Sequence, residues 1–321
     1  MSNVDILVSN LLSPIILAFV LGIVASLVRS DLRLPGALYN ALSIYLLLAI
    51  GLKGGVELSK TSLADFAGPA LLTVLLGIAT PLIAYAILRR LGRFDRVNAS
   101  AIAAHYGSVS AVTFIVAITF GSMMGREPEG FMAALLAILE VPAIVVALMI
   151  AFMRNERVGS WQDALHEVLA GRSVVLLVGG LLIGWAVGPT GFEPVAPFFV
   201  AGFQGALTLF LLEMGIVAAR RLKDLREVGL FLVGFGILVP IFHGLLAVWL
   251  GGLVGLSMAG SAVLGAMVSS ASYIAAPAAV RIALPEANPT FYLTASLGIT
   301  FPFNLTLGIP LYYTLAEWLV A

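Results

Sequence analysis

Residues 105–113 read HYGSVSAVT and residues 268–277 read VSSASYIAAP. Each is a run of small hydroxyl residues set into an otherwise apolar segment, and Gly107 and Pro277 make a helix through either run easy to interrupt. In a bilayer an interruption leaves N–H and C=O groups unpaired, which hydrocarbon tolerates only where a cavity or a ligand satisfies them. The N-terminus of each resulting half-helix is an anion site through its free amides and the positive end of its dipole. No Lys or Arg lies in the body of either run, so an anion held there relies on amides and on the hydroxyls of Ser108, Ser110, Ser269, Ser270 and Ser272. That suits a small, singly charged, hydrogen-bonding anion. For one run alone, close helix packing through Gly and Ser is the better explanation; two runs at matching depths favour a site.

The surrounding chain calls for a bilayer. Of 321 residues 61% are hydrophobic and 11% charged, where soluble globular chains carry about 25% charge. Soluble enzymes, nucleic-acid binders and disordered regulators are excluded together. A spanning helix needs about 20 residues, so there is room for roughly ten. Apolar runs between basic, Gly and Pro punctuation place them at 11–28, 36–56, 66–88, 98–120, 131–153, 173–189, 197–219, 228–250, 259–283 and 290–316. The runs are continuous rather than alternating, which argues for helices and against a β-barrel. The expected fold class is therefore an all-α integral membrane protein of ten transmembrane helices. The first 30 residues lack the basic start and the cleavage site of a signal peptide, so the first run is read as a retained span. With no cysteine there is no disulfide and no thiolate-ligated metal.

Lys and Arg are distributed unevenly between alternate loops. Fourteen of the 17 fall after odd-numbered spans: Arg29, Arg33, Arg89, Arg90, Arg93, Arg96, Arg154, Arg157, Arg172, Arg220, Arg221, Lys223, Arg226 and Arg281. Only Lys53, Lys60 and Arg126 fall on the other side. Cytoplasmic loops retain positive charge, so both termini are expected outside the cytoplasm of a multi-pass plasma-membrane protein.

Four weak internal matches occur in the same order. LLLAIGLKGGVEL (46–58) lies beside LFLLEMGIVAARRL (209–222), GIATPLIAYAIL (77–88) beside GILVPIFHGLLA (236–247), GSVSAVT (107–113) beside SSASYIA (269–275), and LEVPAI (139–144) beside ITFPFN (299–304). They divide the chain into a first five-helix repeat (1–154), a cytoplasmic linker (155–171) and a second repeat (172–321). Five is odd, so the copies are inverted, with the interrupted spans 4 and 9 equivalent. This is a secondary-transporter architecture, with the site near the midplane. Within the polar stretch 153–172, Trp161, Leu165 and Val168 share one face of a short helix, either interfacial or a plain tether.

Glu140 is an acid in mid-span, where charge is costly and usually functional. Its repeat-partner region offers Thr300 and Asn304; hard oxygen ligands of this kind suit a sodium ion, and the same carboxyl suits a proton. Glu213 lies near the Arg220 and Arg221 end of its span, where a structural role is as well supported as a functional one. His105 and His243 are lone histidines on apolar spans and read as packing residues.

HYGSVSAVTF (105–114), LEVPAI (139–144) and SSASYIAAPAAVR (269–281) give the chain a resemblance, along essentially its whole length, to the sodium-dependent bicarbonate transporters known from cyanobacteria. The resemblance implies a fold similar to the bile-acid sodium symporters, in which spans 4 and 9 are broken and cross. A core of spans 3–5 and 8–10 would move against a scaffold of spans 1, 2, 6 and 7, usually in a homotrimer. Carried over by motif, the anion site would comprise Gly107, Ser108, Ser110, Ser269, Ser270, Ser272 and Tyr273, and the sodium site Glu140, Thr113, Thr300 and Asn304. Cyanobacterial members have a longer central cytoplasmic loop and bind a PII-like inhibitor from that side; the short linker here puts that partner in doubt. The expected function is sodium-coupled symport of bicarbonate, with no covalent chemistry and no cofactor beyond the coupling ion. The rivals are a proton-coupled or uniport carrier of another organic anion, a membrane sensor, and a serine hydrolase using Ser108 with His105.

Overall fold

A computed structural model of the chain describes residue 8, residues 10–152 and residues 161–320. Arg154 and Arg157, which entered the charge count, lie outside the described residues. Every regular element among those described is helical: α1 (Pro14–Leu27), α2 (Gly36–Leu58), α3 (Leu63–Arg90), α4 (Arg96–Gly107), α5 (Ala111–Met123), α6 (Met132–Glu140), α7 (Pro142–Phe152) and α8 (Trp161–Leu169) come first. Then follow α9 (Arg172–Phe192), α10 (Phe203–Leu222), α11 (Leu225–Leu253), α12 (Met258–Val268), α13 (Ala275–Ala283), α14 (Pro289–Leu293), α15 (Phe301–Phe303) and α16 (Ile309–Leu319).

Among the described residues six helical stretches are long and apolar enough to cross a membrane: Gly36–Leu58, Leu63–Arg90, Arg96–Met123, Arg172–Val195, Pro197–Leu222 and Leu225–Leu253. Four of the ten expected spans are shorter or subdivided, for local reasons. The first span bends at residues 12–13, and its long helix runs from Pro14, capped by Ser13. The fifth divides between Glu140 and Pro142, where proline removes a donor. The ninth is interrupted at 269–274. The tenth alternates α14, α15 and α16 with the π-helical turns Thr294–Thr300 and Asn304–Gly308, with Pro302 and Pro310 inside it. Conversely, the left-handed backbone of Gly188 (φ 59°) and of Gly229 (φ 76°) breaks α9 and α11 beside the span ends expected at 189 and 228.

Two close helix pairs stand out. α1 packs along α10 and α2 along α9, each through glycines that let backbones touch. A Cβ at Gly22 would lie 2.0 Å from the Leu212 carbonyl, and one at Gly215 equally near that of Phe19. At the second pair the same holds for Gly55 against Leu181 and for Gly184 against Leu52. The remaining long helices form a second group: α3 packs on α4 and α7, α11 on α12 and the Thr294–Thr300 turn, and α4 on α7 as α12 does on α16. α12 also meets α5, and α4 meets α13. The short helix expected in the linker is present as α8; it buries Ala164 and Val168 against α13, and His166 is exposed.

Candidate functional site

The helix through HYGSVSAVT stops at Gly107 and restarts at Ala111; the one through VSSASYIAAP stops at Val268 and restarts at Ala275. Ser108 and Ser110 are extended. The two interruptions touch: the Ser110 N–H donates to Ser270 Oγ at 2.8 Å, and the Ser272 N–H donates to the His105 carbonyl at 2.8 Å. Backbone groups freed by one break are thus satisfied by the other, which buried polar groups require.

Serine side chains finish both restarts. Ser110 Oγ accepts from the Thr113 N–H (3.2 Å), capping α5, and Ser272 Oγ accepts from the Ala276 N–H (3.2 Å) in the first turn of α13. A small cleft at the crossing is lined by Val109, Ser110, Ala111, Glu140, Ser173, Ser272, Tyr273 and Ile274. Ala111 is the first residue of α5 and Ile274 immediately precedes α13, so two helix N-termini open on one space. The positive ends of both helix dipoles meet there, in a space that Glu140 also lines and that no cationic side chain lines. The cleft is about 10 Å³, roughly the room one water needs, so a four-heavy-atom anion requires it to widen.

Of the anion-site residues expected from the sequence, Ser110, Ser272 and Tyr273 line the cleft. Ser270 stands behind it, bridging Ser110 and the Met267 carbonyl (2.6 Å). Ser108 donates to the Glu140 carbonyl (3.2 Å) and Ser269 to the Ala266 carbonyl (3.0 Å), so both brace neighbouring backbone. Gly107 is a packing position, since a Cβ there would lie 2.6 Å from Pro81 and 2.7 Å from Ala143. The Tyr273 hydroxyl is buried beside Ser110 without a well-formed hydrogen bond. Its ring lies edge-on to Phe301, 5.1 Å between centroids.

The four residues expected at a sodium site differ in what they bond to. Glu140 lines the cleft, and among the described residues no hydrogen bond or ion pair reaches its carboxyl group. Thr113 Oγ1 is buried without a partner one turn into α5. Thr300 donates to the Gly236 carbonyl (2.7 Å) and bonds the Tyr106 hydroxyl (2.7 Å). Asn304 donates to the Ser269 carbonyl (3.2 Å), and its Oδ1 accepts from Tyr312 (3.2 Å). Among the described residues no hydrogen bond joins Glu140 to Thr300 or Asn304. Ser110, Ser272 and Ser173 line the cleft with Glu140; Ser173, at the start of α9, follows an ordinary helix start and carries no linear signal that would have marked it.

Glu213 is buried and accepts from the Leu34 N–H at 2.8 Å, which fixes the chain leading into α2. His105 gives Nδ1 to the Ala101 carbonyl (2.7 Å) and stacks on Tyr292. No hydrogen bond joins it to Ser108, whose hydroxyl goes to the Glu140 carbonyl.

Residues 14–317 match the Na+-dependent bicarbonate transporter superfamily. The chain belongs to that superfamily. A search of curated proteins returns no match. Membership makes this a membrane-embedded protein of a transporter family, with sodium and bicarbonate the species that family's description names.

Proposed function

We propose that the protein is a sodium-coupled bicarbonate symporter working by alternating access, with the anion held at the crossing of the two broken helices. The observation that carries this reading is the pair of N-termini, of α5 and α13, facing one cleft with serine hydroxyls and no cationic side chain. Glu140 in the same cleft is the cation ligand, aided by the hydroxyls of Ser110, Ser272 and Ser173. A proton carried on Glu140 is the alternative coupling. Ten spans arranged as inverted repeats, 1–154 and 172–321 about the linker, are supported by the corresponding pairings of α1 with α10 and α9 with α2, and of α3 with α4 and α11 with α12. In this reading α1, α2, α9 and α10 form the scaffold, and the remaining long helices an elevator-like core. A homotrimer follows from the resemblance alone, and a PII-like regulator is not part of the proposal.

Counterflow uptake of a panel of small anions into proteoliposomes tests the substrate assignment. Bicarbonate should exchange in the presence of sodium, and selective exchange of a larger carboxylate would replace it. Orientation has its own test in this cysteine-free chain. With both termini outside the cytoplasm, Glu193→Cys should react with an impermeant thiol reagent added outside intact cells, and Gln162→Cys should be protected; the reverse pattern inverts the topology.

A further inference from the structure

Eight residues line the cleft at the crossing, and seven of them belong to one interlocked group. Val109, Ser110 and Ala111 lie at the first break and Ser272, Tyr273 and Ile274 at the second, and the two breaks bond to each other. Glu140 is tied to the first break through its carbonyl, which accepts from Ser108 Oγ at 3.2 Å. The eighth, Ser173, comes from outside that group, in the first turn of α9.

Ser173 is anchored to α2. Its neighbour Arg172 donates to Asn40 Oδ1 of α2 at 3.0 Å, and α2 and α9 then run in backbone contact along Gly51, Gly55, Gly180 and Gly184. α9 also meets α6, the helix that ends at Glu140, and Leu177 and Leu181 share one apolar cluster with Ala133 and Leu136. Among the described residues no hydrogen bond joins α9 to α6, so the face between them is of the kind that slides by shear. Ser173 is 5% exposed, and among the described residues no hydrogen bond occupies its hydroxyl or the Glu140 carboxyl group. Two unsatisfied oxygens lining a space the size of one water suit a small hard cation, which takes oxygen ligands. The starts of α5, α9 and α13 each bring about half a positive charge. An ionised Glu140 and a bound monoanion bring two negative ones, so net negative charge remains for that cation.

From this placement we infer that Ser173 is a cation ligand supplied by the scaffold, so that the coupling-cation site is complete only while the first turn of α9 faces Glu140. The inference rests on the transport reading above, in which α9 is scaffold and Glu140 and the two breaks are moving core. That first turn lies at the end of α9 that the charge split assigns to the cytoplasm. A ligand present in one of two positions binds the cation more tightly there, and by linkage the bound cation favours that position. Sodium thus draws the loaded core toward the cytoplasmic face, and a core displaced outward leaves Ser173 behind.

The test is a sodium titration of bicarbonate transport in right-side-out and inside-out membrane vesicles; half-saturation does not depend on how much protein inserts. Ser173→Ala should raise the sodium half-saturation roughly fivefold with sodium supplied at the cytoplasmic face, and by less than about twofold at the outer face. Glu140→Gln, which removes a ligand that travels with the core, should raise it at both faces. Ser173→Thr keeps the hydroxyl and should stay within about twofold of wild type at either face. Equal effects of Ser173→Ala at the two faces, no effect at either, or a threonine variant that matches the alanine one would overturn the assignment while leaving the transport reading intact. No sodium-dependent transport by the wild-type chain, or no effect of Glu140→Gln at either face, would overturn the sodium-coupling reading, and the role of Ser173 with it.

Discussion

Replacing Ser270 with leucine is expected to abolish anion uptake in a protein that still inserts and purifies as a single species. Ser270 Oγ accepts the Ser110 N–H and donates to the Met267 carbonyl. Leucine removes both bonds and forces an isobutyl group between two breaks that already touch. The unpaired Ser110 amide alone costs about 1–3 kcal/mol, and overfilling a packed site costs a further ~1–3 kcal/mol. Because these costs fall where α5 begins, they displace the amides proposed to hold the anion. Ser270→Ala should be milder: the amides stay in place, and each ~1.4 kcal/mol lost appears as a tenfold rise in half-saturation. Ser108→Leu should likewise be inactive, since Ser108 braces the carbonyl of Glu140. Uptake at wild-type rates by both leucine variants would move the site away from the crossing.

Glu140→Gln should raise the sodium half-saturation of uptake roughly tenfold or more. A bare carboxylate at mid-membrane costs about 2.5–3.5 kcal/mol on insertion scales, and among the described residues no ion pair reaches Glu140, while the cleft around it contains hydroxyls and apolar groups. A bound cation or a proton must therefore neutralise it. The two make opposite forecasts. A protonated acid is closely mimicked by the amide, so sodium affinity would not change. A sodium ligand that loses its formal charge in a low-dielectric site loses a kcal/mol or more of binding, about a factor of ten. Bicarbonate affinity should then fall through linkage and recover in part at high sodium. Titrating sodium in uptake assays of wild type and variant decides between them.

The features legible in the sequence were those that depend on solvent and on backbone chemistry. Hydrophobic runs located the helices because lipid demands them, and the Ser and Gly content of 105–113 and 268–277 located both interruptions because a helix breaks where its alternatives cost least. The glycine seams also left a trace, since Gly55 and Gly215 both lie inside the first internal match. What the sequence did not show depended on tertiary contacts. Spans 5 and 10 read as single runs because hydropathy does not distinguish an α-helix from one divided at Pro142 or interrupted by π turns. Thr300 and Asn304 are paired with Glu140 by a repeat match, which equates positions related by pseudosymmetry and does not by itself specify side-chain contacts. In the fold they bond to Gly236, Tyr106, Ser269 and Tyr312 instead. Ser173 reaches the cleft through the docking of α9, which leaves no pattern along the chain.

The most direct test of the central claim is sodium-driven uptake of radiolabelled bicarbonate into proteoliposomes containing only this protein. An inward sodium gradient should drive accumulation above the equilibrium level, and potassium in its place should not. Accumulation that ignores sodium, or the absence of bicarbonate uptake under any gradient, would contradict the account.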